Sequence, residues 1–476
     1  MPDIDEAGRE EPYIPKPLAD APDNKLWRVV QAAEQRRLVL YVGAGLSIGA
    51  PSCGPTGADV ARRLQHKAAE MLNVGIDVLQ DATLEEIAEE VAAGAPDRLD
   101  ELRETAAFAF NFRGMEPNTG HDLVALLLRE GVAQVISVNW DCGIENAGLR
   151  AAMRIAGVAT SAQRLQLVQE LPLYKVHGCA TQPHTLALTQ AEVDRPQRWA
   201  VADVQSALAG GVVVFVGLGT VGLYVSEPIS ELPSVWAANN ASIRVVDPKL
   251  RPVWRDALGD YAEEAYIPMT AEAFLDDLLR AFLGRALDAV DRAVDVLSAE
   301  QEPWAPDMSA GCQRLRAAFA RVSGESLLRW WRDGVAATRA GTPFVTELPG
   351  QRALMSVGLL AGRDPEPLET RGVRGRLTVS TPHQYFEIVS HPGEHVRRVE
   401  DITRNRLKRR REEGVYADDR MITVVVSDAF GQFPAPDAPT DIGASDEASS
   451  DIAMGVSATR IRLIPDEVGV RGTLVP

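Results

Sequence analysis

The residues of this chain able to do chemistry sit where apolar runs end. In RLVLYVGAGLSIGAPS the run Leu38 to Val42 opens into Gly43, Ala44, Gly45 and Ser47. Small residues after a buried strand let the backbone approach a ligand and leave N–H groups free to face a pyrophosphate. The dinucleotide signature GxGxxG is not completed, because Ile48 stands where its last glycine belongs. The run VISVNWDCGIENAG delivers Asn139 and Asp141. Asp141 can cap the following helix or meet a ligand, and the Asn139 amide can satisfy loop backbone or hold a small-molecule amide. LYKVHGCA ends in His177, whose side-chain type suits general-base work near neutrality, although a lone histidine is more often structural. VVVFVGLGT supplies Gly217 to Thr220, including Gly219, and SIRVVDP ends in Asp247. Glycine, amide, acid and imidazole at five strand ends can all meet at one edge of a sheet.

The elements that must position them follow from periodicity. Continuous apolar runs at 38–42, 132–138, 173–176, 212–217 and 242–247 fit strands buried on both faces, and the helical stretches between them predict a parallel sheet covered on both sides. Between the first two runs, ADVARRLQHKAAEML, LEEIAEEVAAG and LDELRETAAFAF place apolar residues three to four apart, which predicts a helical insertion over 57–130. Asp81, Ala82 and Thr83 read as a cap for its second helix, and Gly94 with Pro96 as its stop. The expected fold class is α/β, a Rossmann-like parallel sheet with a helical insertion, followed by a C-terminal α+β or β-rich module. The expected organisation is an acidic, proline-rich arm over 1–24, a nucleotide-binding domain over 25–298, a helical connector over 299–340 and the C-terminal module over 341–476.

Composition narrows the function classes. With 476 residues, 46% hydrophobic and 24% charged, the chain is a folded protein of two to three domains by the rule of about 150 residues each. Its 49 Lys and Arg against 67 Asp and Glu leave a net charge of −18, which disfavours generic binding to a phosphate backbone. The basic run RNRLKRRR at 404–411 is either a solvated helix face or a contact for nucleic acid or an acidic protein. Cys53, Cys142, Cys179 and Cys312 form no CxxC pair, so neither a disulfide framework nor a zinc site is readable, and a cytoplasmic location is expected. His391 and His395 flank Pro392 and Gly393, which oppose a helical metal motif, and Trp330 with Trp331 read as core or interface aromatics. Val204 to Ser226 is long enough to span a bilayer and its only charge is Asp203's neighbour outside the run, yet its five glycines favour a strand, a turn and a helix start over a membrane span.

In their order and spacing, GAGLS, VNWD, KVHG, FVGLG and VVDP resemble the sirtuin-like NAD-binding family over about residues 30–270. Within it, HDLVALLLREGVAQVISVNWDCGIENA is similar to the bacterial sirtuin-like NADases of antiphage defence systems, with His121 and Glu145 inside the matching blocks. Deacylating sirtuins carry a four-cysteine zinc module and a GIPDFR-like loop after GAGxS. This chain has APSCGPTG there and no zinc cysteines, so the resemblance implies NAD cleavage without zinc rather than deacylation. It implies Asn139, His177 and Asp141 as the catalytic set. Asn139 would orient nicotinamide or water, His177 would act as base or ribose ligand, and Asp141 would support Asn139. Gly43, Ala44, Gly45, Ser47 and Thr56 would hold the diphosphate side of NAD, with Gly217, Gly219 and Asp247 toward adenosine.

The activity so implied is an NAD+ glycohydrolase, the NAD-depleting effector of a defence system. The expected partners are a second copy of the chain and a defence protein, either an ATPase translocase or an Argonaute-type protein. The rival readings are a module that senses NAD or ADP-ribose and recruits a partner, and a protein deacylase or ADP-ribosyltransferase.

Overall fold

The computed structural model describes residues 25–299, apart from 152, 168–169, 220 and 232–241, and beyond 299 it describes six strands and isolated helical residues. The chain divides into two compact units, one of Ala21–Leu278 and one of Met1–Asp20 with Leu279–Pro476.

The first unit is built on seven parallel strands: β1 (Leu38–Val42), β2 (Ala133–Ser137), β3 (Ile155–Val158), β4 (Leu171–Lys175), β5 (Val212–Val216), β6 (Ser242–Val246) and β7 (Tyr266–Ile267). Their order is β3-β4-β2-β1-β5-β6-β7. LVLYV and VVVFV are buried at every position, as β-branched and aromatic residues allow in strands covered on both faces. On one face Tyr41, Phe215, Ile243 and Val245 pack with Trp254, Val204 and Leu208 into one core. Fully burying a large apolar side chain of this kind contributes about 1.5–3 kcal/mol.

Chain order places a crevice at one edge of the sheet. From β1 the chain steps to β2 on one side and later returns to β5 on the other, so the carboxyl ends of β1, β2 and β5 flank a topological switch point. Register brings the strand ends level: Val42 pairs with both Ser137 and Val216, Ser137 pairs with Lys175, and Val216 pairs with Val246. Gly43, Val138, Val176, Gly217 and Asp247 each continue the ladder by one backbone hydrogen bond, so the five expected strand ends lie side by side.

Between β1 and β2 stand four helices, α1 (Gly57–Leu72), α2 (Leu84–Gly94), α3 (Leu99–Ala109) and α4 (Thr119–Arg129). The first three bury Leu64, Ile87, Val91 and Leu102 in a second core, which also takes Ala180, Leu186 and Leu188 from the segment after β4. Thr83 caps α2 reciprocally with Glu86, and α2 stops at Gly94. The stretch Val204 to Ser226 divides into the end of a helix (Arg198–Gly210), β5 and the start of another helix (Leu223–Glu231). Among the described residues no helix is long and apolar enough to cross a membrane.

In the second unit, strands Glu369–Val373, Arg376–Ser380, Gln384–Val389, Met421–Ser427, Thr440–Asp441 and Thr459–Ile464 form one mixed sheet. The last three long strands pair in parallel and the first three antiparallel. His391, His395, Trp330, Trp331 and nearly all of the basic run lie outside the described residues.

Candidate active site

The loops after β1 and β5 interlock through glycine. Gly43 N–H donates to the Val216 carbonyl at 3.0 Å, and Gly45 N–H to the Gly217 carbonyl at 2.9 Å. A Cβ on Gly45 would lie 2.6 Å from the Gly217 Cα, and Gly217 itself sits at φ +68°. Glycine is therefore demanded here by loop against loop, before any ligand is considered. Ala44 opens a single 3₁₀ turn (Ala44–Leu46), so its N–H has no acceptor within that turn and stays free for an anion.

Next to this turn lies a cleft of about 280 Å³, lined among others by Gly43, Ala44, Ser47, Thr56, Asn139, Asp141, His177 and Gly219. Phe112, Met115 and Trp140 form an apolar wall, with the Phe112 and Trp140 rings edge to face at 6.1 Å. Of the residues expected from the sequence, Gly45, Gly217 and Asp247 are not in the lining. Asp247 instead accepts from Lys249 N–H at 3.0 Å and from Arg251 Nε at 3.1 Å. Thr56 lines the cleft, but its hydroxyl is committed to a capping box with Asp59 at the start of α1.

One hydrogen-bonded unit forms the polar floor. Asn118 N–H donates to His121 Nδ1 at 3.3 Å, which leaves the ring proton on Nε2, 3.1 Å from Ser47 Oγ. Ser47 Oγ in turn donates to Asp141 Oδ2 at 2.9 Å, and Asp141 Oδ1 accepts from Gly143 N–H at 2.9 Å. Asp141 therefore accepts from the first N–H of the helix α5 (Gly143–Arg150), whose N-cap residue is Cys142, and takes part in the floor. Asn139 Nδ2 donates to the Gly43 carbonyl at 3.1 Å and to Ser47 Oγ at 3.3 Å. Because a carbonyl only accepts, this fixes the amide orientation and leaves Oδ1 as the unused acceptor of a cleft-lining residue. Loss of surrounding water pushes His121 down to about 4, against the pull of the Asp141 carboxylate, so its ring is neutral at pH 7.

His177 lies across the cleft, with Nε2 3.3 Å from the Tyr224 hydroxyl, and Tyr224 contacts the Tyr41 hydroxyl. Desolvation also pushes His177 down to about 4, opposed by the Val193 backbone and the Asp194 carboxylate. A partly buried imidazole held neutral in this way is a hydrogen-bonding group toward the cleft. The turn after it depends on Gly178, at φ +89°, where a Cβ would meet the Thr185 carbonyl oxygen at 2.2 Å.

Sequence reading missed the tyrosine pair and the partners of Lys175. Tyr41 is the one polar side chain in LVLYV, and that hydroxyl is the signal that was available. Lys175 is buried and donates to the Asp141 carbonyl and to Glu145 Oε1, the latter at 3.2 Å. Sequence spacing also concealed that Cys142 and Cys179 meet, with sulfurs 4.0 Å apart.

No protein-family model and no curated protein matches this chain. Solved structures similar to it include a Sir2 homolog–NAD complex, at TM-score 0.34 and 17% identity over 53% of this chain and 92% of that one. A mutant Sir2 homologue–ADP-ribose complex matches at TM-score 0.34 and 15% identity over 54% and 94%. Sir2 bound to acetylated peptide matches at TM-score 0.31 and 14% identity over 54% and 98%. Likeness at this level carries no argument about activity, and the α/β assignment stands on the strand order and register above.

Proposed function

We propose that this protein is an NAD+ glycohydrolase, cleaving NAD+ with water to ADP-ribose, nicotinamide and a proton. The observation that carries the reading is the level meeting, at one switch point, of a free N–H turn, a fixed Asn139–Ser47–Asp141 floor and His177 around a single cleft. The bond from the ribose anomeric carbon to the pyridinium nitrogen breaks with its electron pair going to nitrogen, so the leaving group needs no general acid. What remains is to orient the carboxamide and water and to stabilise an oxocarbenium-like ribose.

Asn139 Oδ1 is the acceptor for the nicotinamide amide or the attacking water. Neutral His177 serves as a ribose ligand better than as a strong base, and Asp141, held by Ser47, is the negative group nearest the floor. Ala44 N–H and Gly219 face the diphosphate, and Trp140 with Phe112 and Met115 walls the leaving ring. The cited motifs extend this reading to NAD depletion in a bacterial antiphage system, in the cytoplasm, as a homo-oligomer whose 341–476 module answers an ATPase translocase or Argonaute-type partner. The test is incubation of purified protein with NAD+ and chromatography of the products. Nicotinamide and ADP-ribose in equal amounts support hydrolysis. Nicotinamide release that requires an acetylated peptide would move the reading to deacylation.

A further inference from the structure

Cys142 is the N-cap residue of α5 directly after Asp141, and Cys179 lies in the turn two residues after His177. The two thiols belong to different strand ends, yet their sulfurs are 4.0 Å apart and both side chains are buried. Each backbone is pinned: Cys142 N–H donates to the Phe112 carbonyl at 2.9 Å, and Cys179 N–H to Thr185 Oγ1 at 3.0 Å. Thr181 Oγ1 donates to Cys179 Sγ at 3.1 Å. Glu145 places a carboxylate oxygen within 4.8 Å of both sulfurs, and its Oε2 is buried without a hydrogen-bond partner.

A hydroxyl donor on one sulfur, a thiol donor beside it and the buried Lys175 ammonium are the surroundings of a thiolate rather than of two inert thiols. The contact with the Cys142 thiol, then the Lys175 ammonium and Thr181, draw the Cys179 proton off more easily against the cost of burial, while the same contact and burial push Cys142 up. Lys175 takes up one oxygen of Glu145, which makes the group poorer as a metal cage and better as a charge-balanced dithiol.

We propose that Cys142 and Cys179 are a reversible dithiol–disulfide pair, oxidised by a peroxide, that cross-links the two strand-end loops carrying Asp141 and His177. The Cys179 thiolate attacks a peroxide oxygen and the O–O bond breaks, giving a sulfenic acid and, with one proton, water. The Cys142 sulfur then displaces that hydroxyl, its proton leaving with it as a second water, and the S–S bond forms. Two electrons pass from the thiols to the peroxide, and a dithiol reductant reverses the step. Closing 4.0 Å to a bond of about 2.05 Å brings the sulfurs roughly 2 Å closer, which turns both side chains and strains the pinned loops that carry them. On the proposed NAD-cleaving reading, on which only the activity consequence rests, such a shift at positioning groups slows turnover.

The test uses full-length protein carrying Cys53→Ser and Cys312→Ser, so that only the pair can react. After excess hydrogen peroxide and quenching, intact mass should fall by two hydrogens and both thiols should be lost to alkylation under denaturing conditions, with dithiothreitol restoring them. Adding Cys142→Ser should abolish that mass change. NAD cleavage, where present, should drop at least about tenfold on oxidation and return on reduction. Two alkylatable thiols after peroxide, oxidation to sulfinic acid without a cross-link, or stoichiometric zinc in the purified protein each overturn the proposal. The mass readout stands whether or not the protein cleaves NAD+, so failure of the pair and failure of the enzymatic reading are separable.

Discussion

The two sides of β1 solve different problems at the same sheet edge. Toward β5 the loops are glycine on glycine, held by backbone hydrogen bonds, with free N–H groups but few polar side chains. Toward β2 and β4 the edge is dense with fixed side chains: Asn139, Ser47, Asp141 and His121 in one network, and Lys175 with Glu145 beneath it. The first arrangement suits holding a phosphate through backbone, which needs close approach. The second suits chemistry, which needs groups whose rotamers are already set before substrate arrives.

The sharpest break should come from the polar side. Lys175→Met leaves the largely desolvated Glu145 carboxylate without its counter-ion and should cost about 3 kcal/mol in urea unfolding, with Glu145→Gln in the same chain recovering most of it. A loss under about 1 kcal/mol would show that the pair is not the anchor described. On the catalytic reading, Asn139→Ala and His177→Ala should each lower NAD turnover at least about a hundredfold while circular dichroism stays unchanged.

The glycine side should respond through packing. Gly45→Ala drives a Cβ into Gly217 and should destabilise by about 1–3 kcal/mol, whereas Gly219→Ala, with open space around its Cβ, should stay within about 0.5 kcal/mol. Equal effects would mean that the loops do not interlock as described.

The smallest effect is a pH slope. His121 and His177 are both held near 4, below the ordinary 6.5, so the unfolded chain binds more protons between those values. Their contribution to stability is full above about pH 6.5 and is lost as pH falls toward 4, at up to about 1.4 kcal/mol per pH unit for each histidine. Glu145 and Asp203, both raised by desolvation, work in the opposite direction at the lower end of this range. Urea unfolding at pH 7 and pH 5 should show the fall, and His177→Gln should lessen it. An unchanged slope in that variant would contradict a neutral His177 at pH 5.

How much of this could be read in advance depended on the range of each interaction. The strands β1, β2, β4, β5 and β6 announce themselves because burial on both faces writes a continuous apolar run, and the capping box at Thr83 is local in sequence. β3 and β7 were not foreseen: IAGV is short and small, and β7 is only two residues. Asn139, Asp141 and His177 were legible as polar residues at strand ends. The approach of Cys142 to Cys179 and the Tyr41–Tyr224–His177 chain were not, because they join residues brought together only by strand register. Gly45 and Gly217 were legible as glycines but for a different reason, since spacing cannot separate room for a phosphate from room for another loop.

The central claim, that the polar floor beside β1 cleaves the nicotinamide bond, is tested most directly by following nicotinamide release from NAD+ in parallel with the wild-type protein and Asn139→Ala, with the proposed partner supplied where the protein alone is silent. The account predicts release by the wild type, matched mole for mole by ADP-ribose, and at least about a hundredfold less from the folded variant. Equal release by both proteins, or none by the wild type under either condition, would contradict it.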